Sequence, residues 1–142
     1  MNAADISPNA RVEALIALTE ELAAIFAKEN AALSQRRPVE IYPLQADKAR
    51  LAAAYAQSIR SIAADRSLVA GAGDSLMQRL KAITLDFEAR AGEQRALIDG
   101  ARRAAEGVLR AVAEEAAAAG STPAYGAKDA ARPVALAINE DA

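Results

Sequence analysis

Apolar residues recur at spacings of three and four along three separate segments of this chain. Such spacing matches the 3.6-residue turn of an α-helix, so each segment predicts a helix with one apolar face. Alanine supplies 40 of the 142 residues, so the apolar side chains are numerous but small. Small side chains favour helices packed closely along their lengths over a wide core. The sequence therefore predicts an all-α fold with coiled-coil-like packing.

Capping residues and prolines set the limits of the first two helices. Ser7 followed by Pro8 is typical of a helix start, and the first helix is predicted over about residues 8–35. Pro38 removes a backbone donor and disfavours helix in the residue before it, so we expect a turn there. The second helix is then predicted over about residues 41–64.

The third helix is predicted to be the longest element of the chain. Residues 65–73 contain two glycines close together, which indicates a loop. Ser75 and Gln78 then match a reciprocal capping box, and the helical spacing continues over about residues 74–119. We expect residues 120–142 to be a flexible tail with a short docking segment, because this stretch is rich in turn formers.

Short turns between consecutive helices predict that each helix packs antiparallel to the next. The expected architecture is an antiparallel helical hairpin extended by a long third helix, with residues 1–119 as one helical domain. The distal half of the third helix, about residues 101–119, is predicted either to extend past its neighbours or to pair with another chain. Val108, Leu109 and Val112 would then be exposed, and an exposed apolar stripe indicates an interface.

Two charged residues fall within the apolar seams of the first two helices. Lys48 interrupts the seam of the second helix, and Glu29 has a similar place in the first. Antiparallel packing would bring both within about ten residues of the turn, where an ion pair that sets helix register is feasible. The favoured alternative is that each side chain reaches water independently.

Residue types that the chain lacks exclude several classes of function. There is no Cys for a disulfide or thiolate site, and no His to act as a general base or usual zinc ligand. The net charge of −2 is too balanced for a nucleic-acid surface, and no apolar run approaches the roughly 18 residues that span a membrane. We expect no enzymatic activity, cofactor or metal, and a cytoplasmic location.

One stretch of the chain carries a recognisable family pattern. It reads LIALTEELAAIFAKENAAL, then a short break, then IYPLQADKARLAAAYAQSI. A Leu-rich helix that ends in Glu29-Asn30 and Leu33, followed by Lys48 and Leu51 in the second helix, resembles the FlgN-type flagellar export chaperones. The alanine content and the tail YGAKDAARPVALAIN are similar to the alphaproteobacterial branch of that family. The prolines at positions 38 and 43 depart from the Asp-centred link expected there.

This resemblance implies a small cytoplasmic chaperone of the flagellar type III export system. Its clients would be hook-associated proteins, held at their C-terminal helices and delivered to the export gate. Tyr125, the one aromatic residue outside the predicted helices, is either a plain tail residue or an anchor for that gate. The residues predicted to bind the client are Leu97, Ile98, Val108, Leu109 and Val112. Alternatives are a homodimer through Val108, Leu109 and Val112, a self-assembling structural coiled coil, or a phasin-like coat.

Overall fold

The computed structural model describes residues 6–120, and within them there are three α-helices and no β-strand. Helix α1 spans Pro8–Ser34, α2 spans Gln45–Ala64, and α3 spans Asp74–Ala119. Two 3₁₀ segments, Pro38–Leu44 and Arg66–Leu68, precede and follow α2. The predicted all-α fold is confirmed. The chain forms two compact units that divide between residues 98 and 99.

Helices α1 and α3 both begin at the residues that the sequence predicts, but only α1 has the predicted cap. The Ser7 hydroxyl accepts a hydrogen bond from the Ala10 backbone at 3.1 Å, with proline in the first turn. Helix α3 starts at Asp74, with the Gly73 carbonyl accepting from the backbone of Met77. Ser75 therefore lies inside the first turn, and the predicted capping box is wrong.

The end of α1 is closed by a Schellman motif with arginine where glycine is usual. Arg36 has a φ of 58°, in the left-handed region. Its N–H donates to the Leu33 carbonyl at 3.1 Å, and the Arg37 N–H donates to the Ala32 carbonyl at 2.8 Å. These two bonds satisfy carbonyls that the helix end leaves open. Pro38 follows immediately, so the helix cannot continue.

The start of α2 differs from the prediction for a geometric reason. The predicted helix begins near residue 41, but the chain stays in a 3₁₀ segment up to Leu44. Ile41 and Leu44 are three residues apart, a spacing that shares one face in a 3₁₀ helix as well as in an α-helix. Pro43 lacks the N–H that an α-helical interior requires, so regular helix begins only at Gln45.

Helix α1 is the central element of the bundle formed by residues 6–98. It supplies most of the buried residues in the described chain, whereas α2 contributes Leu51 alone and α3 contributes Gln94 alone. An apolar cluster forms where the three helices meet. Its buried members are Leu22, Ile25 and Leu51, with Leu18, Phe26, Leu44, Tyr55 and Phe87 packed around them.

Contacts at the two ends of the bundle give the helix directions. Asn9 at the start of α1 accepts a hydrogen bond from the Gly73 backbone at 2.9 Å, just before α3. Asn30 near the end of α1 donates to the Arg90 carbonyl of α3 at 3.0 Å. Helices α1 and α3 therefore run parallel within the bundle. Helix α2 runs against both, as the short turns predict.

Candidate functional site

A buried ion pair joins α1 to α2 near the Schellman turn. Glu29 is only 2% exposed, and its Oε1 lies 2.8 Å from the Nζ of Lys48. The favoured prediction, that each side chain reaches water independently, is therefore wrong. The alternative prediction of a Glu29–Lys48 pair is confirmed. Antiparallel packing places the two residues side by side on adjacent helices. Burial of the carboxylate leaves it no access to bulk water.

Three amide side chains complete a polar layer around this pair. Gln94 of α3 donates from Nε2 to Glu29 Oε1 at 3.1 Å and accepts from Lys48 Nζ at 3.0 Å. Gln45 at the start of α2 donates to Glu29 Oε2 at 2.6 Å. Asn30 accepts a bond from Gln94 Nε2 at 3.3 Å. Hydrogen bonds and the ion pair among these five residues link all three helices. We call Glu29, Asn30, Gln45, Lys48 and Gln94 the polar layer.

An aromatic group lies directly against the polar layer. The Lys48 ammonium is 4.3 Å from the centre of the Phe26 ring, a cation–π distance. Phe26 and Phe87 meet edge to face with centroids 5.1 Å apart, and Tyr55 meets Phe87 at 5.5 Å. Burial raises the pKa of the Tyr55 hydroxyl, with a smaller contribution from the charge of Glu88. The lysine thus has its charge balanced by a carboxylate, an amide oxygen and a ring face.

The polar layer controls the ionisation of Glu29. Burial is the largest single influence and raises the pKa of this carboxyl. Hydrogen bonds from Lys48, Gln94 and Gln45, with the charge of Lys48, together outweigh burial and bring the pKa below its usual value. Glu29 is therefore a stable carboxylate at neutral pH. Its lone pairs are engaged by donors of the chain, so the arrangement serves helix alignment.

Sequence reasoning identified the ion pair but missed its amide partners. Gln94 lies in the apolar seam of the third helix, and a polar residue in a seam is the signal that could have identified it. Asn30 follows Glu29 directly and had no such signal. Its partner is a backbone carbonyl of α3, which depends on the register of two helices that lie far apart in sequence.

The residues predicted to bind a client fall in both units of the chain. In residues 6–98, Leu97 is half-buried and Ile98 is 44% exposed. In the helical stretch 99–119, Val108 is 63% exposed and Val112 is 59% exposed, while Leu109 is partly covered. Val108 and Val112 are one turn apart and so share a helix face. A binding role for these five residues stays a prediction, and Tyr125 lies outside the described residues.

The fold and the site define a small all-α bundle protein with a satisfied polar centre and an exposed apolar helix surface. No family model and no solved structure matches the chain. The chain is 33% identical over 129 residues to the flagellar basal-body protein FlbY of Caulobacter vibrioides, covering 89% of this chain and 87% of that protein. The chain therefore belongs to the FlbY family of flagellar proteins. The prediction that the chain belongs to a flagellar family is confirmed.

None of the helices within residues 6–120 has both the length and the apolar character that crossing a membrane requires.

Proposed function

We propose that this chain is a cytoplasmic FlgN-type chaperone of flagellar type III export, which binds hook-associated proteins before they are exported. The observation that carries the proposal is the exposed apolar pair Val108 and Val112 in a member of a flagellar family. Large apolar side chains that share an exposed helix face are typical of a surface that binds another protein. The resemblance of the first two helices to FlgN-type chaperones supports the choice of client.

The proposed binding mode is helix against helix. An amphipathic C-terminal helix of the client would place its apolar face on Val108, Leu109 and Val112. Burial of about 500–600 Å² of apolar area would contribute roughly 12–15 kcal/mol before the costs of ordering. Those costs remove most of this free energy and leave an affinity in the micromolar range or tighter, which permits release at the export machinery. Covering the client helix would also prevent its early self-assembly.

A paired substitution tests the client surface. Val108→Asp with Val112→Asp should weaken binding of a hook-associated C-terminal peptide at least tenfold in calorimetric titration, because two carboxylates would be buried against apolar groups. Leu85→Asp is the matched control, since Leu85 is 57% exposed but lies outside the proposed surface. Equal affinities for the paired variant and the unmodified chain would remove Val108 and Val112 from the client site.

The proposal also includes docking to the export gate through Tyr125. An aromatic side chain supplies a large contact area to a partner and is typical of the residues that contribute most to binding. Tyr125→Ala should leave client binding intact while weakening retention of the chaperone by the purified cytoplasmic domain of the gate. Loss of client binding in this variant would contradict a separate gate-docking role.

A self-assembling structural protein is the alternative function. The relative in Caulobacter vibrioides is described as a basal-body protein, and the exposed pair Val108 and Val112 would serve a self-contact equally well. Light scattering after size-exclusion chromatography, with and without a hook-associated protein, separates the two functions. A stoichiometric heterocomplex supports the chaperone, and an obligate homo-oligomer that ignores the client supports the structural protein.

A further inference from the structure

In the second unit of the chain, the structure describes a single helical stretch, residues 99–119. Val108 and Val112 are 63% and 59% exposed, and no other described element of that unit covers them. A lone helix of this length is only marginally stable in water, so a second helix packed on its apolar face would stabilise it. The order of side chains along the stretch indicates which helix that would be.

The apolar face of the stretch is nearly symmetric about its centre. Five apolar side chains follow one another at spacings of three and four and so share one face. They are Ala101, Ala105, Val108, Val112 and Ala116. A second copy turned end for end would place Ala116 against Ala101 and Val112 against Ala105, with the two copies of Val108 adjacent at the centre. A large side chain opposite a small one lets two helices approach closely.

The charges of the stretch favour the same orientation. In chain order, the charged residues within 101–116 are Arg102, Arg103, Glu106, Arg110, Glu114 and Glu115. When this order is read backwards, the sign is inverted at every step. An antiparallel copy therefore places opposite charges at nearly the same level along the pair, whereas a parallel copy would place like charges there. Packed helix axes lie about 8–10 Å apart, close to the screening length in physiological salt, so these charges still act on each other.

We propose that residues 101–116 pair antiparallel with the same residues of a second copy of this chain. The pair has a two-fold axis beside Val108, so it is closed and does not extend into a filament. The stretch is only about 24 Å long, and two such helices bury less than about 1,200 Å² in total, the range of weak contacts. We therefore expect a dissociation constant above about 10 μM, which leaves the chain monomeric in dilute solution.

A second copy suits this face better than an unrelated helix does. Any amphipathic helix can match the apolar stripe, but only a helix with the inverted order of charges also matches the six charged residues, and a reversed copy has that order. The self-pairing does not depend on the chaperone function. It does cover the surface proposed to bind the client, and its action as a mask for that surface rests on the chaperone function.

Disulfide trapping tests the pairing and its direction, because the chain has no native cysteine. Chains with Ala101→Cys and chains with Ala116→Cys are mixed in a glutathione redox buffer. The 101–116 disulfide should exceed either homodisulfide at least tenfold, since antiparallel pairing brings only this combination within reach of an S–S bond. Prevalent homodisulfides would overturn the antiparallel pairing.

Ala117→Cys in place of Ala116→Cys is the matched control for the trapping. It is the next residue in the chain and is exposed, but its side chain is turned about 100° from that of residue 116 around the helix. This control should give only the background yield from random collision. A 101–116 disulfide that does not exceed this background would overturn the proposal.

A charge exchange tests the electrostatic part of the pairing. Arg102→Glu with Arg103→Glu makes both ends of the stretch acidic, and Glu114→Arg with Glu115→Arg makes both ends basic. Each variant alone should self-associate at least tenfold more weakly than the unmodified chain in sedimentation equilibrium, because like charges then face each other. An equal mixture of the two variants should associate again, since opposite charges are re-formed across the pair.

Arg79→Glu with Lys81→Glu is the control for the charge exchange. It makes the same change of net charge at exposed positions in the first unit and should leave self-association unchanged. Self-association of both end-charge variants at the level of the unmodified chain would overturn the assigned orientation. So would a mixture that associates no better than its components.

A client peptide separates failure of this proposal from failure of the chaperone function. A hook-associated C-terminal peptide present during trapping should lower the yield of the 101–116 disulfide at least tenfold at saturation, because both bind the same valines. An unchanged yield would count against the chaperone function and leave the self-pairing intact. Absence of the disulfide without any peptide would overturn the self-pairing alone.

Discussion

Two regions of the same alanine-rich chain differ in what they bury and what they expose. Around Glu29 and Gln94 the bundle buries polar groups and gives each a partner. In residues 99–119 the helix exposes apolar groups, with Val108 and Val112 more than half accessible. Burial of an unpaired polar group and exposure of an apolar one are both unfavourable. In the first region, hydrogen bonds within the bundle offset the desolvation of the polar groups. In the second region, the apolar side chains stay exposed and are free to contact a partner. We therefore assign stability to the first region and binding to the second.

The largest effect is expected from breaking the polar layer. Glu29→Ala leaves Lys48 without its carboxylate beside the Phe26 ring and should lower the free energy of unfolding by about 3 kcal/mol in urea titration. Glu13→Ala removes an exposed carboxylate from the same helix and should cost under about 0.5 kcal/mol. Similar losses in the two variants would show that the polar layer does not contribute to stability.

A smaller effect is expected from protonating the same carboxyl. The pKa of Glu29 is lower in the folded chain than its ordinary value of 4.5, so the folded state favours the carboxylate. This stabilisation is complete above the unfolded pKa and is lost as pH falls through the folded pKa. Urea titrations between pH 6 and pH 3 should show a decline in stability below about pH 4.5.

Glu29→Gln is the control for this pH dependence, because it keeps a hydrogen-bonding side chain but cannot titrate. The variant should be less stable at neutral pH, with a shallower decline towards pH 3. An equally steep decline in the variant would assign the acid sensitivity to other carboxylates.

The sequence predicts the limits of the helices better than it predicts the contacts within the polar layer. The Ser7 hydroxyl caps the first turn, and the rings of Pro8 and Pro38 restrict the backbone. These effects are local, so local rules place the limits of α1 correctly. The start of α2 was misplaced because a spacing of three fits two kinds of helix. The amide partners of Glu29 were missed for another reason. Gln94 is 65 residues away in the chain, so the contact depends on the register of whole helices.

A gain in stability is expected at the turn that ends α1. Arg36 has a φ of 58°, a conformation that costs a residue with a Cβ roughly 1 kcal/mol and costs glycine little. Arg36→Gly should therefore raise the free energy of unfolding by about 0.5 kcal/mol, after the greater entropy of glycine in the unfolded chain is subtracted. Arg37→Gly, one residue later, should lower it. A loss of stability in Arg36→Gly would mean that the arginine side chain contributes more than the backbone strain costs.

The smallest effect is expected where the helix exposes its valines. Val108→Ala with Val112→Ala removes methyl groups that are mostly in contact with water, so little apolar burial is lost on folding. Alanine also has the higher helix propensity, which offsets the remaining loss. Urea titration should therefore give a free energy of unfolding within about 0.5 kcal/mol of the unmodified chain. A loss above about 1 kcal/mol would mean that these valines are buried in the protein in solution, by a second copy or by another part of the chain. The distinction between a stabilising region and a binding region would then fail, since residues 99–119 would contribute to stability as the polar layer does.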